Sequence, residues 1–387
     1  MQNFIFRNPT KLVFGKDTVK NIGTEINNSG IKKVLLVYGK GSIFKNKVYE
    51  TVIRSLKNAG IEAVELGGVK SNPVLSKVYQ GIELAKKENV EGVLAVGGGS
   101  VIDTAKTIAA GFYITGDIWD VFEKKTRVNK ALPIFTVLTI SATGSEMNPV
   151  GVITKEEENK KWGFGSPYTY PKVSIIDPTV QFSLPPHQTV YGAIDAMSHV
   201  FELYFGSEAD TGVQDEIAEG IIRTIMKHVP VLLKEPDNYQ SRAQLAWCAT
   251  LALNGINQAG RVPGDWACHD IEHSLSAYYD IAHGAGLAII IPAWMKYVYK
   301  ENMNKFEQFA ERIFNITGGQ QEDKIIQAIN SLKAFFQKLN APTTLKEVGV
   351  KYSDLEKLAE NTVISGPRGR IKKLSKNDIV EILKAAY

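Results

Sequence analysis

Of the six histidines in the chain, four combine with an aspartate in a pattern that could hold a metal. Asp195 and His199 lie four apart in the helix-like stretch Gly192 to Phe205, which puts them one turn apart on one face. His269 and His273 repeat that spacing in Asp265 to Tyr279, and His283 follows across a short turn at Asp280. Three imidazoles and a carboxylate form a borderline-hard donor set suited to Fe(II), Zn(II), Co(II) or Mn(II), with no thiolate required. His187 and His228 stand apart and read as ordinary packed or surface residues. A second pattern overlaps the first: His269-Asp270-Ile271-Glu272-His273 matches H-x-x-E-H, the inverted zinc-peptidase motif. In that alternative Glu272 is a general base and His269 and His273 both bind zinc. It leaves the Asp195 and His199 pair without a use.

Two glycine-rich turns carry a different chemistry. Gly97-Gly98-Gly99-Ser100 joins a strand over Glu91 to Val96 to a helix through Val101, Asp103 and Lys106. Glycines let backbone approach an anion, and the helix N-terminus beyond them offers unpaired N–H groups and partial positive charge. The spacing is neither GxGxxG nor a P-loop, so a plain tight turn is the competing reading. Gly39-Lys40-Gly41-Ser42 follows a second strand, at the carboxyl edge where open sheets of this kind bind ligands. This turn offers no carboxylate to a ribose 2′-hydroxyl, and Lys40 would attract a 2′-phosphate, so NADP is favoured over NAD. Asn72-Pro73 could contact a cofactor phosphate or merely start the helix beginning at Val74. The hydroxyl cluster from Thr139 to Ser145, with Ser141 and Thr143, could hold the cofactor or cap a helix through Ser145.

The elements that must position these groups fall into two halves. Val34 to Tyr38, Ala63 to Leu66, Gly92 to Val96, Pro133 to Thr139 and Val173 to Asp177 read as strands. Asn46 to Asn58, Val74 to Glu88 and Val101 to Gly111 read as helices between them. Runs such as Val34-Leu35-Leu36-Val37 are apolar throughout, as parallel strands buried on both faces should be. Val150 to Thr154 and Trp162 to Ser166 flank a charged tip and predict a hairpin, and short strands are expected around Asn8-Pro9. After Pro185-Pro186 only helical patterns follow: Thr189 to Phe205, Asp210 to Leu233, Ser241 to Gln258, Asp265 to Tyr279, Gly284 to Tyr299, Asn302 to Phe314, Asp354 to Glu360 and Ser375 to Ala386. Chain length alone, 387 residues, favours more than one domain.

The bulk composition excludes several partners. A formal charge of +4, scattered along the chain, implies no nucleic-acid groove and no polybasic membrane patch. No apolar run approaches the ~20 residues that span a bilayer, and the start resembles no export signal, so a cytoplasmic protein is expected. Cys248 and Cys268 both fall in helix-like stretches and read as packed free thiols rather than a disulfide.

Taken together, these segments resemble the iron-containing alcohol dehydrogenase family and, within it, the NADPH-dependent butanol dehydrogenases. The likeness runs nearly end to end, through GGGSVIDTAK at 97–106, TGSE at 143–146, IIDPTVQFSLPPHQTVYGAIDAMSHVFE at 175–202 and GDWACHDIEHSLSAYYDIAHGAGLA at 264–288. The resemblance implies a dehydroquinate synthase-like architecture: a Rossmann-like α/β dinucleotide-binding domain over 1–184 and an all-helical metal-binding domain over 185–387, with cofactor and metal in the cleft between. It places the metal, Fe(II) or else Zn(II), on Asp195, His199, His269 and His283. His273 then becomes a non-ligand beside the nicotinamide and a candidate for proton relay, which replaces the pairing of His269 with His273. Contacts to NADP(H) are implied at Gly39, Gly41, Ser42, Asn72, Gly97, Gly98, Gly99, Ser100, Asp103, Thr139, Ser141 and Thr143. Some relatives carry Asp where Gly39 stands and favour NAD, in keeping with NADP here. The substrate implied is a small alcohol or aldehyde, and the assembly a homodimer. Val150, Val152 and Trp266 could line an apolar substrate pocket or simply pack in the core. A non-catalytic dinucleotide-binding module is the remaining alternative.

Overall fold

The computed structural model describes residues 1–206 and 211–387, which form two compact units. The sheet unit comprises Arg7–Leu184 with Glu235–Thr250, and the helical unit comprises Met1–Phe6, Pro185–Lys234 and Leu251–Tyr387. Chain order therefore changes at Pro185, but two segments cross over. Ala246 joins the core on one face of the sheet, and the Thr250 hydroxyl donates to Glu146 at 2.6 Å. The N-terminal segment is tied to the helical unit by Gln2 N–H donating to the Gly260 carbonyl at 2.9 Å.

The sheet contains β1 (Lys11–Phe14), β2 (Lys33–Gly39), β3 (Glu62–Val69), β4 (Gly92–Gly97), β5 (Ile134–Leu138) and, after a separate hairpin of β6 (Val150–Lys155) and β7 (Lys160–Gly165), β8 (Val173–Ile176). Its order is β1-β8-β5-β4-β2-β3, and every pairing is parallel. Leu35, Val37, Val93 and Ala95 pack on one face, and Val34, Leu36, Leu94 and Val96 on the other. That is why these runs show no alternation in sequence. The helix after β2, Val48–Asn58, covers one face, whereas Leu75–Lys87 and Gly99–Gly111 cover the other. The connections thus reverse direction between β2 and β4, the arrangement that opens a ligand crevice at the carboxyl ends of those strands.

Several local expectations are corrected. The N-terminal strand is single and starts at Lys11, beyond Asn8-Pro9, where the Asn8 side chain instead donates to the Met147 carbonyl. The helix expected over Ser241 to Gln258 ends at Ala252, because Asn254 accepts the Ile256 N–H and Gly255 takes φ 98°. Asp210, the expected start of the next helix upstream, lies outside the described residues; that helix is Gly212–Lys234. A helix over Gln321–Lys338 was not read from the sequence, although Ile325, Ala328, Ile329, Leu332 and Phe336 bury one face at helical spacing. Its many charged and amide residues dilute that stripe.

Three helices of the helical unit matter for the site: Pro186–Tyr204, Ala267–Tyr279 and His283–Val298. The last is apolar nearly all round and buried along most of its length. It packs so closely at its start that a Cβ on Gly284 would lie 2.1 Å from the Tyr191 carbonyl oxygen. Among the described residues no helix is long and apolar enough to cross a membrane.

Candidate metal and dinucleotide sites

The spacing that suggested shared helix faces does bring the histidines together. Asp195 and His199 project from Pro186–Tyr204, His269 and His273 from Ala267–Tyr279, and His283 is the first residue of its helix. Asp195 Oδ1 lies 3.5 Å from His199 Nε2 and 3.5 Å from His283 Nε2. Donor atoms of Asp195, His199 and His269 all fall within 4.8 Å of one another. The His199 and His269 rings stack with centroids 5.0 Å apart, and His269 and His283 stand 5.4 Å apart. Burial, with the neighbouring His269 and His283, holds His199 well below the usual imidazole range, so it is a neutral base. His273 is half-buried, its ring 6.5 Å from His269 and 5.6 Å from His283. Trp266, at φ 63°, precedes the His269 helix and sets its ring 5.2 Å from His269.

Four segments expected to contact a dinucleotide leave the carboxyl edges of four adjacent strands: Gly39–Ser42 from β2, Asn72 after β3, Gly97–Ser100 from β4 and Thr139–Thr143 from β5. Their internal packing differs sharply. A Cβ on Gly98 would lie 2.1 Å from Ile140, and one on Gly99 2.5 Å from Thr143. These glycines are therefore required by the β5 loop pressing on the turn, whatever ligand lies above. At Gly41 a Cβ would meet no atom of the described residues within 4 Å, and Lys40 and Ser42 are exposed.

Other expected contacts are partly committed inside the protein. Asp103 accepts from the Ser145 hydroxyl at 2.6 Å and the Val152 N–H at 3.1 Å, and its burial raises its pKa. Lys106 is wholly buried, donating to Ser145, Asn148 and the Val150 carbonyl. Ser145 accordingly belongs to this network and caps no helix; the 3-10 turn at Ser145–Met147 starts from Gly144 without a side-chain cap. The Ser141 hydroxyl donates to Gln181 at 3.0 Å, while Thr143 accepts the Ser145 N–H and Thr139 N–H donates to Gly97. Asn72 sits in the left-handed region and accepts from the buried Lys161 at 2.9 Å. It does not cap the following helix, which begins at Leu75 with Val74 as its N-cap.

Both halves match known sequence families: residues 9–178 match iron-containing alcohol dehydrogenase, and 189–387 match the C-terminal part of the Fe-containing alcohol dehydrogenase family. A probable NADH-dependent butanol dehydrogenase 1 of Bacillus subtilis is 44% identical over the full length of both chains. The chain belongs to the iron-containing alcohol dehydrogenase family. An NADPH-dependent aldehyde reductase of Escherichia coli is 37% identical, the match spanning 92% of each chain. The crystal structure of an NADH-dependent butanol dehydrogenase A from Thermotoga maritima superposes with a TM-score of 0.98, at 55% identity, covering 100% of this chain and 99% of that one. As a member of this family the chain is an oxidoreductase of alcohol dehydrogenase type, and membership implies iron and a nicotinamide cofactor.

Sequence reasoning missed Glu202 and Glu272 as partners of this iron-family histidine cluster. Glu202 accepts from the His269 backbone N–H at 3.2 Å and faces His269 Nδ1 at 3.1 Å. Burial and the nearby Asp265 charge push its carboxyl well up, against the pull of backbone N–H groups. The available signal was an acid inside the otherwise apolar run Val200 to Phe205. Lys106 and Lys161 were missed as buried cations, since neither spacing nor composition separates them from surface lysines. Cys248 and Cys268 are buried thiols that form no disulfide, as expected.

Proposed function

We propose that this protein is a metal-dependent, NAD(P)-linked alcohol dehydrogenase or aldehyde reductase acting on small primary alcohols and aldehydes, with butanol and butyraldehyde as fitting substrates. In this reading Asp195, His199, His269 and His283 are the metal ligands, and Fe(II) or Zn(II) is the ion. The observation that carries it is one carboxylate oxygen equidistant, at 3.5 Å, from two imidazole nitrogens. Donors about 2.1 Å from a common ion at tetrahedral angles stand about 3.4 Å apart. The donor chemistry fits as well, because imidazoles converging beside a carboxylate are good ligands for a borderline cation.

When bound, the metal supplies Lewis acidity to the substrate oxygen, and the nicotinamide gives or takes the hydride. The chain's own residues position and protect. His273 lies one turn beyond His269 on the same helix, partly exposed, where it can pass a proton toward solvent without holding the ion. Trp266 closes the His199 and His269 rings from one side. The peptidase alternative is disfavoured because Glu272 has no exposed surface and faces His283 rather than solvent.

For the coenzyme we propose NADPH. Its support is the Gly39–Ser42 turn, which lacks a carboxylate and exposes Lys40; relatives named for NADH and for NADPH both occur. The test is oxidation of NADPH and of NADH with butyraldehyde, in protein stripped of metal and after return of Fe(II) or Zn(II). Metal-restored turnover faster with NADPH is expected. Cofactor binding without turnover, indifferent to metal, would leave only a dinucleotide-binding module.

A further inference from the structure

Glu272 belongs to the sequence pattern of a catalytic base, yet the fold commits it elsewhere. It accepts from the Ser276 hydroxyl through one oxygen and faces His283 Nδ1 with the other. Gly286, on the His283 helix, makes the space: a Cβ there would come 2.7 Å from Glu272 Cγ. The opposite nitrogen of His283, Nε2, is the one directed at Asp195. A neutral imidazole carries one proton, so an Nδ1–H donated to Glu272 leaves the Nε2 lone pair on the Asp195 side.

His269 repeats the arrangement with a different acid. Its Nδ1 faces Glu202, while its Nε2 is 3.5 Å from the Ser198 hydroxyl, which already donates to the Asp195 carbonyl. His199 differs: its Nδ1 is buried with no hydrogen-bond partner among the described residues. Two of the three imidazoles thus have a glutamate behind them, while His199 is held by ring contacts with His269 and Trp266 instead.

We infer that Glu272 and Glu202 are positioning residues that fix the ring orientation and Nδ1–H tautomer of His283 and His269, presenting both Nε2 atoms to a shared cation. The inference rests on the ligand assignment proposed above. Acceptors behind metal-binding histidines ordinarily change metal affinity about 10- to 100-fold when removed.

The test uses the full chain, with Zn(II) affinity read by competition against a chromophoric chelator and tautomers read from ¹⁵N shifts of labelled imidazoles. Glu272→Leu removes the acceptor; it should bind Zn(II) about 10- to 100-fold more weakly and lose the single His283 tautomer. Glu272→Gln keeps an acceptor, so it should retain the tautomer with a smaller, several-fold loss; if the Leu variant does not fold, this loss decides. Glu202→Gln should likewise weaken binding. His269→Ala is the control for the ligand reading. Zn(II) loss in the control with unchanged affinity in the glutamate variants overturns this inference alone, whereas a control that keeps Zn(II) overturns the ligand reading beneath it.

Discussion

The histidine cluster and the glycine turns are built on opposite principles. In the helical unit, side chains carry the chemistry and helices set their direction, so an i, i+4 spacing is a statement about geometry. In the sheet unit the proposed dinucleotide contacts are largely backbone, and a glycine marks the absence of a side chain without saying what fills the space. At Gly98 and Gly99 the protein itself fills it; at Gly41 no described residue does. The same residue type therefore answers to packing in one turn and is open to a ligand in the other.

The sharpest break would come from His269→Ala. It should lose both bound metal and turnover, by at least about 1,000-fold in rate, since metal polarisation supplies several kcal/mol; elemental analysis beside coenzyme oxidation checks this. His273→Ala should keep the metal and slow the reaction about 100-fold, as loss of a proton-transfer group ordinarily does. Metal loss in that variant would overturn the ligand assignment.

The two turns can be set against each other directly. Gly98→Ala forces a methyl against Ile140 and should cost about 1 to 3 kcal/mol of stability, read as a shift in denaturant midpoint. Gly41→Ala should leave the midpoint unchanged within about 0.5 kcal/mol while raising the KM for coenzyme. Equal destabilisation in both would erase the distinction between them.

The smallest effect is a slope. Burial lowers Lys106 to about 8 from its ordinary 10.5. Between those values the unfolded chain holds a proton the folded one has released, so rising pH favours the folded form. Stability from this group should climb from pH 8 toward 10, before Tyr38 and Tyr49, held up to about 12, begin to act oppositely. Lys106→Met should flatten that rise in urea titrations at stepped pH.

Much of the architecture was legible because burial wrote it plainly. Val34 to Val37 and Gly92 to Val96 are apolar on both faces only because helices cover both. The clustering of Asp195, His199 and His269 was legible because an i, i+4 spacing fixes a shared helix face, whereas the choice of His283 over His273 as a ligand came from family resemblance and stands as a proposal. Glu272 was misleading, since its spacing fits a catalytic motif and only the approach of a second helix, made possible at Gly286, shows where it points. Asp103 was placed beside the cofactor by family resemblance and Ser145 was read as a possible helix cap, and nothing in the local pattern shows that the two bond to each other. Their actual neighbours, Lys106, Asn148 and Val152, include a hairpin about fifty residues away in sequence.

The openness of the Gly39–Ser42 turn has an evolutionary consequence. If, as proposed, this turn meets the coenzyme, residues there can change without disturbing the packed turn at Gly97–Gly99, and coenzyme choice is separable from foldability. On that proposal a lineage can drift between NADH and NADPH by altering a few positions of the turn, and the family does hold members named for each. Anyone retuning this enzyme's coenzyme should spend substitutions on that turn and leave the glycine triplet alone.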